Sequence, residues 1–153
     1  MDSQHQQWKP NVTVAAVVER DGSFLLVEEQ TAEGIRYNQP AGHLDAGESL
    51  LDAVTRETLE ESAWRFKPTA LVGVYQYHQA GSGITYLRFA FTGELSGHEA
   101  GRKLDTGILR ALWMSVAEIR TSCAKHRSPL LMQCVDDYLA GQRYPLALLH
   151  HYN

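Results

Sequence analysis

From Asn11 the chain runs Val12-Thr13-Val14-Ala15-Ala16-Val17-Val18-Glu19, stops at Asp21-Gly22, and resumes as Phe24-Leu25-Leu26-Val27-Glu28-Glu29. Asp-Gly between two β-branched and apolar runs predicts a hairpin, because Gly takes the positive φ of a tight turn. Residues 30–49 carry Gly34, Pro40, Gly42 and Gly47, breakers too frequent for long regular structure, although Ile35–Gln39 has the pattern of a short strand. Ser49, with Asp52 three residues on, resembles a capping box and opens a helix from Leu50 to about Ser62. Strand patterns follow at Thr69–His78, Ile84–Leu95 and Ala111–Ser115, with Gly81-Ser82-Gly83 turning the first into the second. Ser115 and Glu118 cap a short helix to about Cys123. Ser128 as N-cap, Pro129 at the first helical position and Gly141 past the end bracket a last helix over 129–140. The order β-β-(β)-α-β-β-β-α-α departs from strict βα alternation and predicts an α/β (α+β) fold, a mixed sheet with helices packed on it.

Composition narrows the class. With 153 residues, 44 % hydrophobic and 21 % charged, the chain reads as one globular domain over 1–153, and disorder, collagen and coiled coil are poor descriptions. Fourteen Lys and Arg against 18 Asp and Glu give a net charge of −4. That balance argues against a nucleic-acid partner, since nonspecific binding needs excess basic side chains to displace counterions. Cys123 and Cys134 lack metal-binding spacing and read as reduced core thiols, which points to the cytoplasm. The segment Met1–Trp8 has no apolar signal core, and no later run approaches the roughly 20 apolar residues of a membrane helix, so no membrane partner is expected.

The chemistry concentrates on the first helix. At about 100° per residue, Glu57, Glu60 and Glu61 share one narrow arc, where like charges cost a few tenths of a kcal/mol per neighbouring pair. A hard divalent cation offsets that repulsion: Mg²⁺ takes oxygen ligands and bridges to phosphates. Leu51, Val54 and Thr58 form the opposite, core-facing arc, Ala53 leaves room for a ligand among the acids, and the acidic face is expected to be wet. Arg56 is placed to hold a carboxylate through charge-assisted hydrogen bonds. Taken alone, this run equally describes a solvated acidic face.

Upstream residues change that. Gly42 and Glu48, at fixed spacing from Arg56, complete the pattern G-x5-E-x7-R-E-U-x-E-E-x-G-U, where U is a bulky apolar residue. This resembles the Nudix box, with two departures: Thr58 at an apolar position, and Ala63 at the second glycine, where a left-handed helix exit would cost Ala roughly 1 kcal/mol. The resemblance implies a Nudix-type α/β/α sandwich with a mixed β-sheet and a catalytic loop-helix-loop. It also implies Mg²⁺ (Mn²⁺ possible), and water attack on phosphorus of a nucleoside diphosphate linked to a group X. By position, it implies that Glu60 and Glu61 are the principal metal ligands and Glu57 a ligand or the base for the attacking water. Glu48 becomes an additional or outer ligand, Arg56 a catalytic positioning residue, and Gly42 a backbone carbonyl ligand.

The flanks Lys9–Ala15, Asn38–Leu44, Arg127–Leu130 and Gly141–Leu146 resemble the NudJ-type phosphatase branch of the family. That branch implies a small-molecule nucleotide or pyrimidine pyrophosphate substrate, hydroxymethylpyrimidine diphosphate included, cut with release of inorganic phosphate. Alternatives are a Nudix pyrophosphohydrolase releasing pyrophosphate or a monophosphate, a noncatalytic nucleotide-binding module, and an RNA-end enzyme. Candidate substrate contacts are Arg88, Tyr86 and Asp105. Arg88 is either a solvent-facing strand arginine or a phosphate clamp. Tyr75, Tyr77 and Tyr86 either stack on a base or serve the fold, and Asp105 is either an extra catalytic acid or an ordinary loop acid. His43 and His78 read as polar neighbours of the site. A monomer and a homodimer both suit the sequence.

Overall fold

The computed structural model describes residues 6–153, so Met1–His5 of the leading segment lie outside the described residues. In chain order it holds β1 (Asn11–Ala16), β2 (Glu19–Arg20), β3 (Ser23–Thr31), β4 (Gly34–Asn38), β5 (Ala41–His43), α1 (Leu50–Ser62), β6 (Trp64–Gln79), β7 (Ile84–His98), β8 (Ile108–Ser115), α2 (Val116–Thr121) and α3 (Leu130–Leu139). Single 3-10 turns occupy Cys123–Lys125 and Leu146–Leu148. The predicted mixed sheet is present as two four-stranded sheets, one ordered β5-β1-β7-β6 and one ordered β2-β3-β4 with β8 on the other edge of β3. β1 and β7 run parallel, and the other pairs in the first sheet are antiparallel.

Alternation along the strands supplies a core on each face. Val14, Ala16, Leu25, Leu71 and Phe91 pack with Ala53 and Val54 of α1. Phe24, Leu26, Val72 and Ala90 pack with Ile119 of α2 and Leu131, Cys134 and Val135 of α3. The result is the α/β/α layering expected, because period-2 strands buried on both sides need a helix over each face.

Several boundaries differ from expectation. Residues 30–49 are more regular than their breakers suggest, since β3 runs to Thr31 and β4 and β5 follow closely. β6 begins at Trp64, ahead of the predicted Thr69. Its register shifts at Arg65/Phe66, Pro68/Ala70 and Leu71/Gly73 let a proline sit inside the strand. β7 extends to His98, and β8 starts at Ile108. Pro129, with Ser128 beside it, is the N-cap of α3, and the Ser128 hydroxyl accepts from the Leu130 N–H. Only Cys134 of the two cysteines is in the core, and Cys123 is exposed. Ala63 adopts the left-handed conformation (φ 64°) despite its side chain. There its N–H donates to the Leu59 carbonyl and closes α1. Among the described residues no helix is long and apolar enough to cross a membrane.

Candidate active site

α1 opens as its sequence predicts, with the Ser49 hydroxyl accepting from the Asp52 N–H. Two turns on, Arg56 gathers the box acids. Its Nε donates to Glu48 Oε2 (2.7 Å), Nη1 to Glu57 Oε1 (2.8 Å) and Glu60 Oε1 (2.7 Å), and Nη2 to Glu48 Oε1 and the His43 carbonyl (both 3.0 Å). Glu48 also accepts from the Asp45 N–H, so both its oxygens are engaged, and the Arg56 bond holds its carboxyl below the usual range. Glu48 thereby anchors Arg56 and stands behind the cluster.

The acidic arc is less wet than its sequence suggests, although the Glu60 side chain stays 30 % exposed. Glu57 is 8 % exposed, and burial raises its pKa. Glu61 is pushed up to about 8 by burial, against the hydrogen bond it accepts from the Ala41 N–H (2.9 Å). That N–H belongs to β5, an edge strand of its sheet. Ala53 is fully buried in the α1 core and leaves no room for a ligand, because its methyl packs toward the sheet. Thr58 sits in the core as expected, its hydroxyl bonded to the Val54 carbonyl.

Gly42 is where β5 must have no side chain. A Cβ there would stand 2.1–2.3 Å from all three atoms of the Glu57 carboxyl group. Asp105 joins from the loop before β8, its N–H donating to the Glu60 carbonyl (3.0 Å). Burial and the Glu60 charge raise its pKa. One carboxylate oxygen each from Glu57, Glu60 and Asp105 lie within 4.8 Å of one another. An all-oxygen donor set of this kind suits a hard divalent cation. Asp105 thus stands with the acids, and Glu61, expected as a principal ligand, turns its carboxylate to the backbone of β5.

Beside the cluster lies a cavity of about 490 Å³, lined by the first sheet, the β3–β4 hairpin and the start of α3. Arg88 lines it and is 5 % exposed, which overturns the solvent-facing alternative. Its Nη1 donates to Gln39 Oε1 (2.9 Å) and its Nη2 to Asn38 Oδ1 (3.1 Å). Tyr77 and Tyr86 are cross-strand partners and both line the cavity. Tyr75, on the same sheet face, instead donates to Asp137 Oδ2 (2.7 Å) and packs against the core. His43 lines the cavity, and His78 bonds Thr85 beyond it. Arg127 pairs with Glu29 (2.7 Å), both on the cavity wall, whereas Arg143 lies over the Tyr138 ring at 4.0 Å and takes no part. Glu29, Asn38 and Gln39 escaped the sequence reading as site residues. A polar Asn-Gln pair entering a breaker-rich loop was the one local signal, and long-range strand pairing supplies the rest.

A sequence profile of the NUDIX domain matches residues 8–134. Phosphatase NudJ of Escherichia coli strain K12 is 38 % identical over 146 residues, covering 95 % of this chain and 94 % of that protein. Among solved structures, a NUDIX hydrolase from Nitrosomonas europaea superposes with a TM-score of 0.92 at 54 % identity, covering 94 % of this chain and 98 % of the other. A MutT NUDIX hydrolase from Burkholderia pseudomallei shares the fold, with a TM-score of 0.73 at 21 % identity over 85 % of this chain and 98 % of its own. The box acids gathered on Arg56, the all-oxygen cluster and these likenesses agree: the chain belongs to the Nudix hydrolase family, NudJ-type, and is an enzyme that hydrolyses acid anhydrides in phosphorus-containing substrates.

Proposed function

We propose that the chain is a phosphatase of nucleoside tri- and diphosphates and related pyrophosphates, hydroxymethylpyrimidine diphosphate among them, releasing inorganic phosphate. The observation that carries this reading is the 38 % identity to Phosphatase NudJ across 95 % of the chain, joined to a complete acidic cluster beside a cavity. The whole chain, 1–153, acts as one domain on small molecules in the cytoplasm, in keeping with its two unpaired thiols.

Glu57, Glu60 and Asp105 would hold Mg²⁺ or Mn²⁺, with the Gly42 carbonyl and Glu61 as further oxygen donors. Bound there, the cation offsets polyphosphate charge and lowers the pKa of water. Arg56 fixes the Glu57 and Glu60 carboxylates at 2.8 and 2.7 Å, so their geometry is set before substrate arrives. Glu57 serves as a ligand or as the base for the attacking water, through the carboxylate that Arg56 orients. Arg88 and Tyr86 contact the substrate in the cavity.

Phosphorus NMR of products formed with Mg²⁺ tests the reading, with hydroxymethylpyrimidine diphosphate run beside nucleotides. Orthophosphate and a nucleoside diphosphate are expected first from a triphosphate. Pyrophosphate as first product would overturn the phosphatase reading and favour a pyrophosphohydrolase on the same box.

A further inference from the structure

We infer that Arg88 is the subsite for the phosphate next to the one attacked. The substrate's terminal phosphorus then lies at the acidic cluster and its organic ring lies on Tyr86 and Tyr77. The inference rests on the phosphatase reading for the identity of the attacked phosphorus.

Arg88 is 5 % exposed, yet its hydrogen-bond partners among the described residues are two amide oxygens and, at 3.9 Å, the Cys134 sulfur. None is a carboxylate. Its Nε is buried with no partner among the described residues. A guanidinium taken from water without a counter-charge is costly, and a chain retains one where an anion arrives to pair with it. Gln39 is itself 1 % exposed and pinned to the Leu131 carbonyl (2.9 Å), so the cradle is rigid. The neutral amides orient the planar fork while leaving its charge unspent, an arrangement suited to phosphate oxygens.

Register and the cavity lining together bring these groups to one cavity. Arg88 neighbours Thr13 on β1, and Thr13 neighbours His43 beside Gly42 on β5. Asn38 and Gln39 also lie just ahead of Gly42, whose backbone touches Glu57. Glu57 and Asp105 of the cluster and the Arg88 guanidinium thus line one cavity. Tyr86 stands two residues before Arg88 on the same face of the strand, paired with Tyr77, and offers aromatic surface to a ring.

For a diphosphate ester on this path, the water oxygen bonds to the terminal phosphorus and the bond from that phosphorus to the bridging oxygen breaks. The electron pair stays on the inner phosphate at Arg88. The water proton passes to a cluster carboxylate and on to solvent, leaving a monophosphate ester and orthophosphate. The opposite threading would put the inner phosphorus at the acids and the ring away from the tyrosines.

The two threadings differ in where a monophosphate product binds. Titration calorimetry in EDTA with cytidine monophosphate and hydroxymethylpyrimidine monophosphate reads this without turnover. At least one is expected to bind the wild-type protein, at least tenfold more weakly to Arg88→Gln, and with an intermediate loss in Arg88→Lys. Lysine keeps the cation should the glutamine variant fail to fold. Binding is expected to persist in Glu60→Gln. Equal affinity in the arginine variants, or no binding of either probe without a divalent cation, would overturn the inference. Failure of the phosphatase reading shows separately, as pyrophosphate in the product analysis.

Discussion

At Gly42 the presence of a hydrogen atom where other residues carry a methyl decides the position of Glu57. A Cβ would lie 2.1 Å from the Glu57 carboxyl carbon, so any side chain at 42 must expel that carboxylate. The obstruction is charged and held on one oxygen by Arg56, so although it borders the cavity it can yield only by giving up that arrangement. Gly42→Ala should therefore act on chemistry more than on folding: a misplacement of about 1 Å in a catalytic group costs on the order of 10²-fold in rate. Steady-state kinetics should show kcat falling by about that factor, with a melting temperature near that of the wild type. Unchanged kcat would mean the contact is incidental.

At the scale of elements, the exit of α1 shows competing terms nearly cancelling. Ala63 at φ 64° carries left-handed strain of about 1–2 kcal/mol. It is only 4 % exposed, so its methyl returns about 0.8 kcal/mol of burial, and Gly would add about 0.4–1 kcal/mol of unfolded-state entropy. Ala63→Gly should then change stability by less than about 0.5 kcal/mol. Ala63→Val, β-branched at positive φ, should cost more than about 2 kcal/mol in chemical denaturation. A clearly stabilising Gly would mean that the methyl packs poorly. Local signals of this kind were legible: Ser49, the Ser115–Glu118 capping box and Gly141 mark helix ends correctly because caps are short-range chemistry. The box residues were legible too, through fixed spacing on one helix. The early start of β6, the burial of Arg88 and the contact of Asp105 with α1 were not, because each depends on strands or loops far apart in sequence.

The connection from α2 to α3 belongs to the same scale and carries a pH dependence. His126 Nε2 lies 2.9 Å from the Ile119 carbonyl, and burial lowers its pKa against that carbonyl's opposing pull. Its backbone bridges Tyr37, and the next residue's N–H donates to the Tyr37 carbonyl, which sets Arg127 and Ser128 on the cavity wall. A folded-state pKa below the unfolded value of about 6.5 means that the unfolded chain takes up the proton more readily. The contribution is present above that value and is lost as pH falls below it. Between about pH 7 and pH 5 the wild-type protein should lose more melting temperature than His126→Gln, and parallel curves would remove this role for the ring.

Across the whole molecule, both sheets and the loop before β8 bring charge of one sign to a single cavity. Among the described residues six acids line it, Glu29, Glu33, Asp45, Glu57, Glu61 and Asp105, against the two arginines Arg88 and Arg127. A polyphosphate entering that field alone meets like charge at short range, in surroundings where screening by water is reduced. Arg56 does not relieve this, since its donors are already committed to Glu48, Glu57 and Glu60. On the proposed reading, a divalent cation would offset the cluster before a phosphate approaches it, and its binding to the folded chain alone would stabilise that state by mass action. Turnover should stop in EDTA and return with added Mg²⁺ or Mn²⁺. Without substrate, the melting temperature should rise with cation concentration, and Glu57→Gln or Asp105→Asn should blunt that rise. Turnover undiminished in chelator would rule out this account of the acids, and a cation-independent melting temperature would place the metal in the substrate complex alone.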